Sequence, residues 1–191
     1  MNCWDQFLAM VASMRRPRIL ELGSLKWPEL KMPSCRSIIL GRNPGVAYVG
    51  VDIQAGQDVD VVADAHALGA TLPPASFDVF ICRAALEHVR RPWVVAAELA
   101  KVVRPGGLGF VQTHQTFPLH GYPSDYFRFS VAATKEIFAA DVGWKTLRAE
   151  HEFPCRIVPW NNIFPHAHDW NFEGEAYLNV VAMVERIGGG P

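Results

Sequence analysis

The 191-residue chain has no C-x-x-C pair; its four cysteines, Cys3, Cys35, Cys82 and Cys155, lie far apart. That spacing argues against a zinc ribbon and a dense disulfide framework. No apolar stretch approaches the ~18 residues that a bilayer demands, and no basic segment leads into an apolar one at the N-terminus. Neither sign of charge is in excess: 18 Lys and Arg stand against 19 Asp and Glu, a formal net charge of −1. Nothing draws the whole molecule toward nucleic acid or a membrane surface. The cluster Arg15, Arg16, Arg18 is too narrow for a phosphate footprint and reads as a solvated helix end. No internal repeat is visible. The expectation is a cytoplasmic protein without nucleic-acid or membrane partners.

What is present is a folded, core-forming composition: 50% hydrophobic and 19% charged residues. The length suits one domain, here placed at residues 1–187, with a flexible glycine-rich tail at 188–191. Trp4, Phe7, Leu8, Val11 and Met14 fall at helical spacing, which predicts an amphipathic helix within residues 1–17 that Pro17 stops. Strands are predicted over Arg18–Leu22, Ala47–Ile53, Val59–Ala63, Phe77–Cys82 and Leu108–Thr113. Pro92–Val103 reads as a helix ended by "RPGG", and Val131–Ala140 as another. Two further strand-like runs are Trp144–His151 and Tyr177–Val184. Segment Trp27–Pro44, rich in proline, is expected to be an irregular excursion. Apolar strands that alternate with helices predict a single Rossmann-like α/β domain. Its mostly parallel sheet would have about seven strands, helices on both faces and an antiparallel last strand.

In such sheets the ligand crevice lies at the carboxyl ends of the strands, and polar groups gather there in this sequence. The first strand ends in Glu21, Gly23 and Ser24, the second in Asp52 and the third in Asp64, Ala65 and His66. The fourth leads to Arg83, Glu87 and His88, and the fifth to Thr113 and His114. Asp52 is placed to accept both hydroxyls of a ribose; its alternative role is to cap the next turn. Asp64 in "VVADAHAL" is placed to accept an adenine amino proton, or else to start a helix.

Quoted in order, "ILELGS", "YVGVDI", "VVADAHAL", "FDVFICRAALEHV" and "ELAKVVRPGGLGFV" resemble the class I S-adenosylmethionine-dependent methyltransferases over Arg18–Val111. The form with "GS" in place of the full glycine-rich loop is similar, and it carries a patch like "HGYPSDYFRFS". The resemblance implies S-adenosyl-L-methionine as cofactor. It implies that Glu21 and Gly23, with Ser24, hold its methionine end. Asp52, with Ile53, takes the ribose; Asp64 and Ala65 frame the adenine; Arg83 begins the loop under the sulfonium. The second and third glycines of the family's loop are absent here. A pyrophosphate would need them for its amide cradle, but S-adenosylmethionine has no phosphate. Their absence, and a Gly23–Asp52 gap longer than the roughly 20 residues of the dinucleotide fingerprint, count against a nicotinamide dehydrogenase.

Methyl transfer from a sulfonium needs alignment first, and a base only when the acceptor loses a proton as it attacks. The insertion at 114–130 holds the candidates: His120 first, then His114, then Asp125. A loop histidine is also a common structural partner, and Asp125 pairs equally well with Arg128 to fix the loop. A second insertion, 153–176, mixes Trp160, Phe164, Trp170 and Phe172 with Asn161, Asn162, His166, His168 and Asp169. Such rings beside amides suit a saccharide face or an aromatic acceptor, or else a subunit contact in a homodimer. Tyr122, Tyr126, Arg128 and Trp160 are the acceptor-binding candidates. His166 and His168 lack an obvious fourth ligand, so no metal is expected. The expected function is O-methylation of a small molecule or saccharide. The alternative is a non-catalytic methyltransferase-like partner subunit, which the worn glycine loop favours. Three carboxylates kept at one crevice despite their mutual repulsion favour the enzyme.

Overall fold

Val79, Phe80, Ile81 and Cys82 are all fully buried, so this strand is covered on both faces. The computed structural model describes residues 1–27, 31–121, 124–158 and 174–188. Its seven-stranded sheet comprises β1 (Arg18–Leu22), β2 (Ala47–Asp52), β3 (Val61–Val62), β4 (Phe77–Arg83), β5 (Val103–His114), β6 (Trp144–Cys155) and β7 (Ala176–Arg186). The order is β3-β2-β1-β4-β5-β7-β6. The first five are parallel, and β7 runs antiparallel to both neighbours.

Alternate side chains of each strand enter opposite cores, as the pleat requires. Ile19, Val79, Ile81, Phe110, Val181 and Met183 pack under α1 (Cys3–Ser13) and α2 (Cys35–Arg42). Leu20, Leu22, Phe80, Cys82, Val111, Val180 and Ala182 face the other way. There they meet α3 (Leu68–Thr71), α4 (Pro92–Val102) and α5 (Val131–Ile137). Trp144, fully buried in that second core, donates its indole N–H to the Ala96 carbonyl at 2.9 Å. This is the Rossmann-like arrangement expected from the strand and helix alternation.

Several boundaries differ from expectation, four of them for a visible reason. Residues 35–42 form a helix inside the stretch read as irregular, because Ser34 caps it and Cys35 and Ile39 anchor it to the core. Eight residues with only two buried anchors give little periodicity to read. The "RPGG" run does not precede β5 but lies within it, as a bulge between the pairs Phe77↔Val103 and Val79↔Leu108. Strand β6 runs four residues beyond His151, since its antiparallel pairing with β7 continues to Cys155. Helix α1 ends at Ser13, before Pro17, and Asn2 caps its start by accepting from the Asp5 N–H at 2.7 Å.

Candidate active site

The carboxyl ends of β1 and β2 are tied together by backbone. The Gly23 and Ser24 amides both donate to the Val51 carbonyl, at 2.9 and 3.2 Å. Gly23 adopts φ +75°, and a Cβ there would stand 2.4 Å from the Ala85 side chain. Glycine is therefore required twice over, by conformation and by contact with the turn after β4. The next positions work without glycine because they are anchored differently. The Leu25 amide donates to Asp52 Oδ2 at 3.1 Å, and the Lys26 amide to the Gln57 carbonyl at 3.1 Å. Gly56, not a loop glycine, makes room for the Leu25 side chain.

Asp52 also accepts from the Gln54 amide at 3.0 Å, so its carboxylate is held at the strand tip by two backbone donors. Ile53 beside it is 66% exposed, an apolar face at the mouth of the crevice. Ser24 Oγ is buried without a hydrogen-bond partner among the described residues. Glu21 turns toward α2, is buried and accepts from the Tyr48 hydroxyl at 2.9 Å. Burial pushes its carboxyl above the usual range, against the hydrogen bonds from Tyr48 and Cys35. The Cys35 thiol is pushed up to about 12, chiefly by burial.

Asp64 caps the short turn Ala65–Ala67: its Oδ1 accepts from the His66 amide at 2.9 Å and contacts His66 Nδ1 at 2.7 Å. The hydrogen bonds from His66 bring its carboxyl below the ordinary value. Ala65 is half-buried beside it. Arg83 donates to Gln112 Oε1 at 2.9 Å and stacks 4.7 Å over the Trp4 ring. Its side chain thus closes the α1 side of the sheet.

A second constellation gathers at the ends of β4, β5 and β7. Glu87 is fully buried in the turn after β4 and accepts from the Thr113 hydroxyl at 2.8 Å through Oε2. His114 Nε2 lies 3.1 Å from the other oxygen, Oε1, and His120 Nε2 lies 3.9 Å from it. Neither approach has hydrogen-bond geometry, so Oε1 has no hydrogen-bond partner among the described residues. The imidazoles are fixed from behind. His114 Nδ1 meets Asn179 Oδ1 at 2.9 Å, across the β5–β7 pair, and His120 Nδ1 meets the Pro118 carbonyl at 3.0 Å. Phe117 stacks on His114 at 4.1 Å and packs edge-on to His120 at 4.9 Å. Burial lowers the His114 imidazole below its ordinary value, against the pull of Glu87.

Asp125 and Arg128 form a bidentate pair at 2.5 and 2.7 Å. Arg128 also donates to the carbonyls of Phe117, Pro118 and Phe127, and Asp125 Oδ2 accepts from the His120 amide at 3.0 Å. The Arg128 guanidinium holds the Asp125 carboxyl well below the usual carboxylate range. A carboxylate so engaged is a poor proton acceptor, and an arginine with its donors spent on the loop has little left for a ligand. Tyr126 is half-exposed and donates its amide to the Glu87 carbonyl at 2.8 Å. Tyr122 and Trp160 lie outside the described residues, as do His166, His168 and the other aromatic residues named at 160–172.

Glu87 stands among the strand-end residues of the sequence, which gives it no role by itself. The signal available is a carboxylate just after the apolar Ala84–Leu86; its partners Thr113 and His114 lie 26 or more residues away.

A model of the methyltransferase domain matches residues 38–111. An uncharacterized methyltransferase of Mycobacterium avium is 39% identical over 74 residues, 34% of this chain and 29% of that protein. A ubiquinone biosynthesis O-methyltransferase of Burkholderia vietnamiensis is 41% identical over 61 residues, 32% of this chain and 26% of that protein. The chain thus spans less than a third of the length of these relatives. Across nearly the whole chain, the fold is that of a SAM-dependent methyltransferase from Archaeoglobus fulgidus. The TM-score is 0.66 at 14% identity, covering 95% of this chain and 90% of that one. The Burkholderia thailandensis 1,6-didemethyltoxoflavin-N1-methyltransferase, solved with S-adenosylhomocysteine, gives 0.61 at 13% identity, covering 94% and 78%. Matched segment and topology agree: residues 38–111 match the methyltransferase domain, and the chain has the fold of S-adenosylmethionine-dependent methyltransferases.

The residues fit that cofactor. The bare Gly23 turn, the unpartnered buried Ser24 hydroxyl, the Asp52 carboxylate and the exposed Ile53 face converge at one strand edge. Among the described residues no helix is long and apolar enough to cross a membrane.

Proposed function

We propose that the chain is an S-adenosylmethionine-dependent O-methyltransferase acting on a small molecule or saccharide. The observation that carries the reading is the buried Ser24 Oγ, without a partner among the described residues, beside a Gly23 turn that bars any side chain. An unsatisfied buried hydroxyl costs about 1–3 kcal/mol, and a ligand's polar group would recover it. Gly23 and Ser24 would cradle the methionine end, near the buried carboxylate of Glu21. Asp52 would accept the ribose hydroxyls, and Ile53, Asp64 and Ala65 would frame the base. Arg83, fixed by Gln112 and Trp4, would hold the floor beneath the sulfonium.

Oxygen as the accepting atom is supported by the imidazole–carboxylate cluster of Glu87, His114 and His120, because a hydroxyl must shed a proton as it attacks. His120, the more exposed imidazole, is the proton acceptor in this reading, with His114 behind it. Asp125 and Arg128 serve as the clamp that places the loop. Tyr126, with Tyr122 and Trp160, would contact the acceptor. The O-methyltransferase of Burkholderia vietnamiensis among the relatives agrees with oxygen transfer. The four cysteines are free, which suits the reducing cytoplasm.

Titration calorimetry with S-adenosylmethionine and with S-adenosylhomocysteine tests the reading. Micromolar binding of both, about −8 kcal/mol, is expected. Absence of binding to either would overturn it in favour of a non-catalytic partner subunit. Label transfer from methyl-labelled cofactor to amines and not to hydroxyls would overturn the oxygen assignment alone.

A further inference from the structure

The Glu87 cluster is built like a metal site. Glu87, His114 and His120 each offer one donor atom, and these atoms all lie within 4.8 Å of one another. Glu87 Oε1 is fully buried and lacks a hydrogen-bond donor among the described residues, although two imidazole nitrogens face it. A buried carboxylate oxygen left in that condition is costly unless a cation completes it. The outer contacts have the form that orients metal-binding histidines. Each imidazole spends Nδ1 on an oxygen, Asn179 Oδ1 or the Pro118 carbonyl, which leaves Nε2 with its lone pair turned inward. The carboxylate is steadied in turn by the Thr113 hydroxyl. Gly121 completes the enclosure, since any side chain there would collide with His88, whose ring packs edge-on to His120 at 4.8 Å.

We propose that Glu87, His114 and His120 bind one divalent transition-metal ion of the zinc class. Two imidazoles and one carboxylate are a donor set that zinc accepts while keeping a coordination position open. His120 is partly exposed, so the open side faces the crevice and not the core. Binding of the ion is independent of methyl transfer. Its use rests on the methyltransferase reading and replaces the His120 base there: an acceptor hydroxyl at the open position would be acidified by the ion and release its proton to solvent, with both Nε2 atoms occupied as ligands.

Chelator-stripped full-length protein is titrated with Zn²⁺ by calorimetry, with Co²⁺ absorption as the spectroscopic probe. One equivalent is expected to bind. Glu87→Gln and His120→Ala are expected to lose that binding, and Asn179→Ala to weaken it about 10-fold. A His166→Ala/His168→Ala double variant is expected to retain it. Should Glu87→Gln fail to fold, His120→Ala, on a partly exposed loop, carries the test. Stoichiometric binding untouched by His120→Ala, a thiolate-to-cobalt band, loss only in the double variant, or no binding at all would overturn the proposal. S-adenosylmethionine is titrated into the same samples. Cofactor binding without zinc binding sinks only the metal site, and the reverse sinks only the cofactor reading.

Discussion

The two halves of the crevice are built by different means. The proposed cofactor end rests on backbone: Gly23, Ser24, Leu25 and Gln54 contribute amides to Val51 and Asp52, residues on or beside two adjacent parallel strands. The proposed acceptor end rests on side chains brought from four separate places, Glu87, Thr113–His114, His120–Arg128 and Asn179. A backbone-built turn survives changes of side chain, which is why the loop after Gly23 closes on Asp52 and Gln57 with Leu25 and Lys26 in place of glycine. A side-chain-built site tolerates far less, since each member holds another's orientation.

That contrast predicts which variants separate the two ends. Asp52→Ala is expected to abolish S-adenosylmethionine binding in calorimetry while costing about 1 kcal/mol of stability, as two backbone amides lose their acceptor. Retained affinity would place the ribose elsewhere. Arg128→Ala, which strands the nearly buried Asp125 carboxylate, is expected to cost about 3 kcal/mol in chemical denaturation. Its affinity for S-adenosylmethionine is expected to stay within about 2-fold of wild type, because no cofactor-end group touches it; a parallel loss would erase the division between the ends. His120→Ala is expected to slow turnover on a hydroxyl acceptor about 100-fold with cofactor binding unchanged. Unaltered turnover would remove His120 from the chemistry.

The smallest effect concerns Glu21. Its folded carboxyl lies above the ordinary range, so folding disfavours its ionised form. The contribution to stability is therefore fullest below the unfolded carboxylate value and declines as pH rises through the folded one. Glu21→Gln keeps an acceptor for Tyr48 and removes this decline. Its stability relative to wild type is expected to grow with pH, by under about 1 kcal/mol, while cofactor affinity falls. Melting curves across pH 4–8 that run parallel for the two proteins would contradict this.

Much of the fold is legible in the chain because local patterning and global topology agree. Arg18–Leu22 and Phe77–Cys82 are mostly apolar without strict alternation, as suits strands covered on both faces. Helix α2 is less legible, since a short helix with two anchors has no stripe to read. The bulge at Arg104–Gly107 looks like a helix stop, which it also is; its place inside β5 depends on pairing with β4.

The sequence by itself determined the order of strands and helices, the Gly23 turn and the row of carboxylates at the strand ends. These depend on residue type at fixed short spacing, which covalent geometry converts directly into shape. Tertiary structure decided what those carboxylates meet. Asp64 turned back to cap its own turn, Asp125 was claimed by Arg128, and Glu87 was buried with one oxygen unpaired between two imidazoles. Residues 26 or more apart meet only when the sheet has closed, and burial then magnifies each unpaired charge.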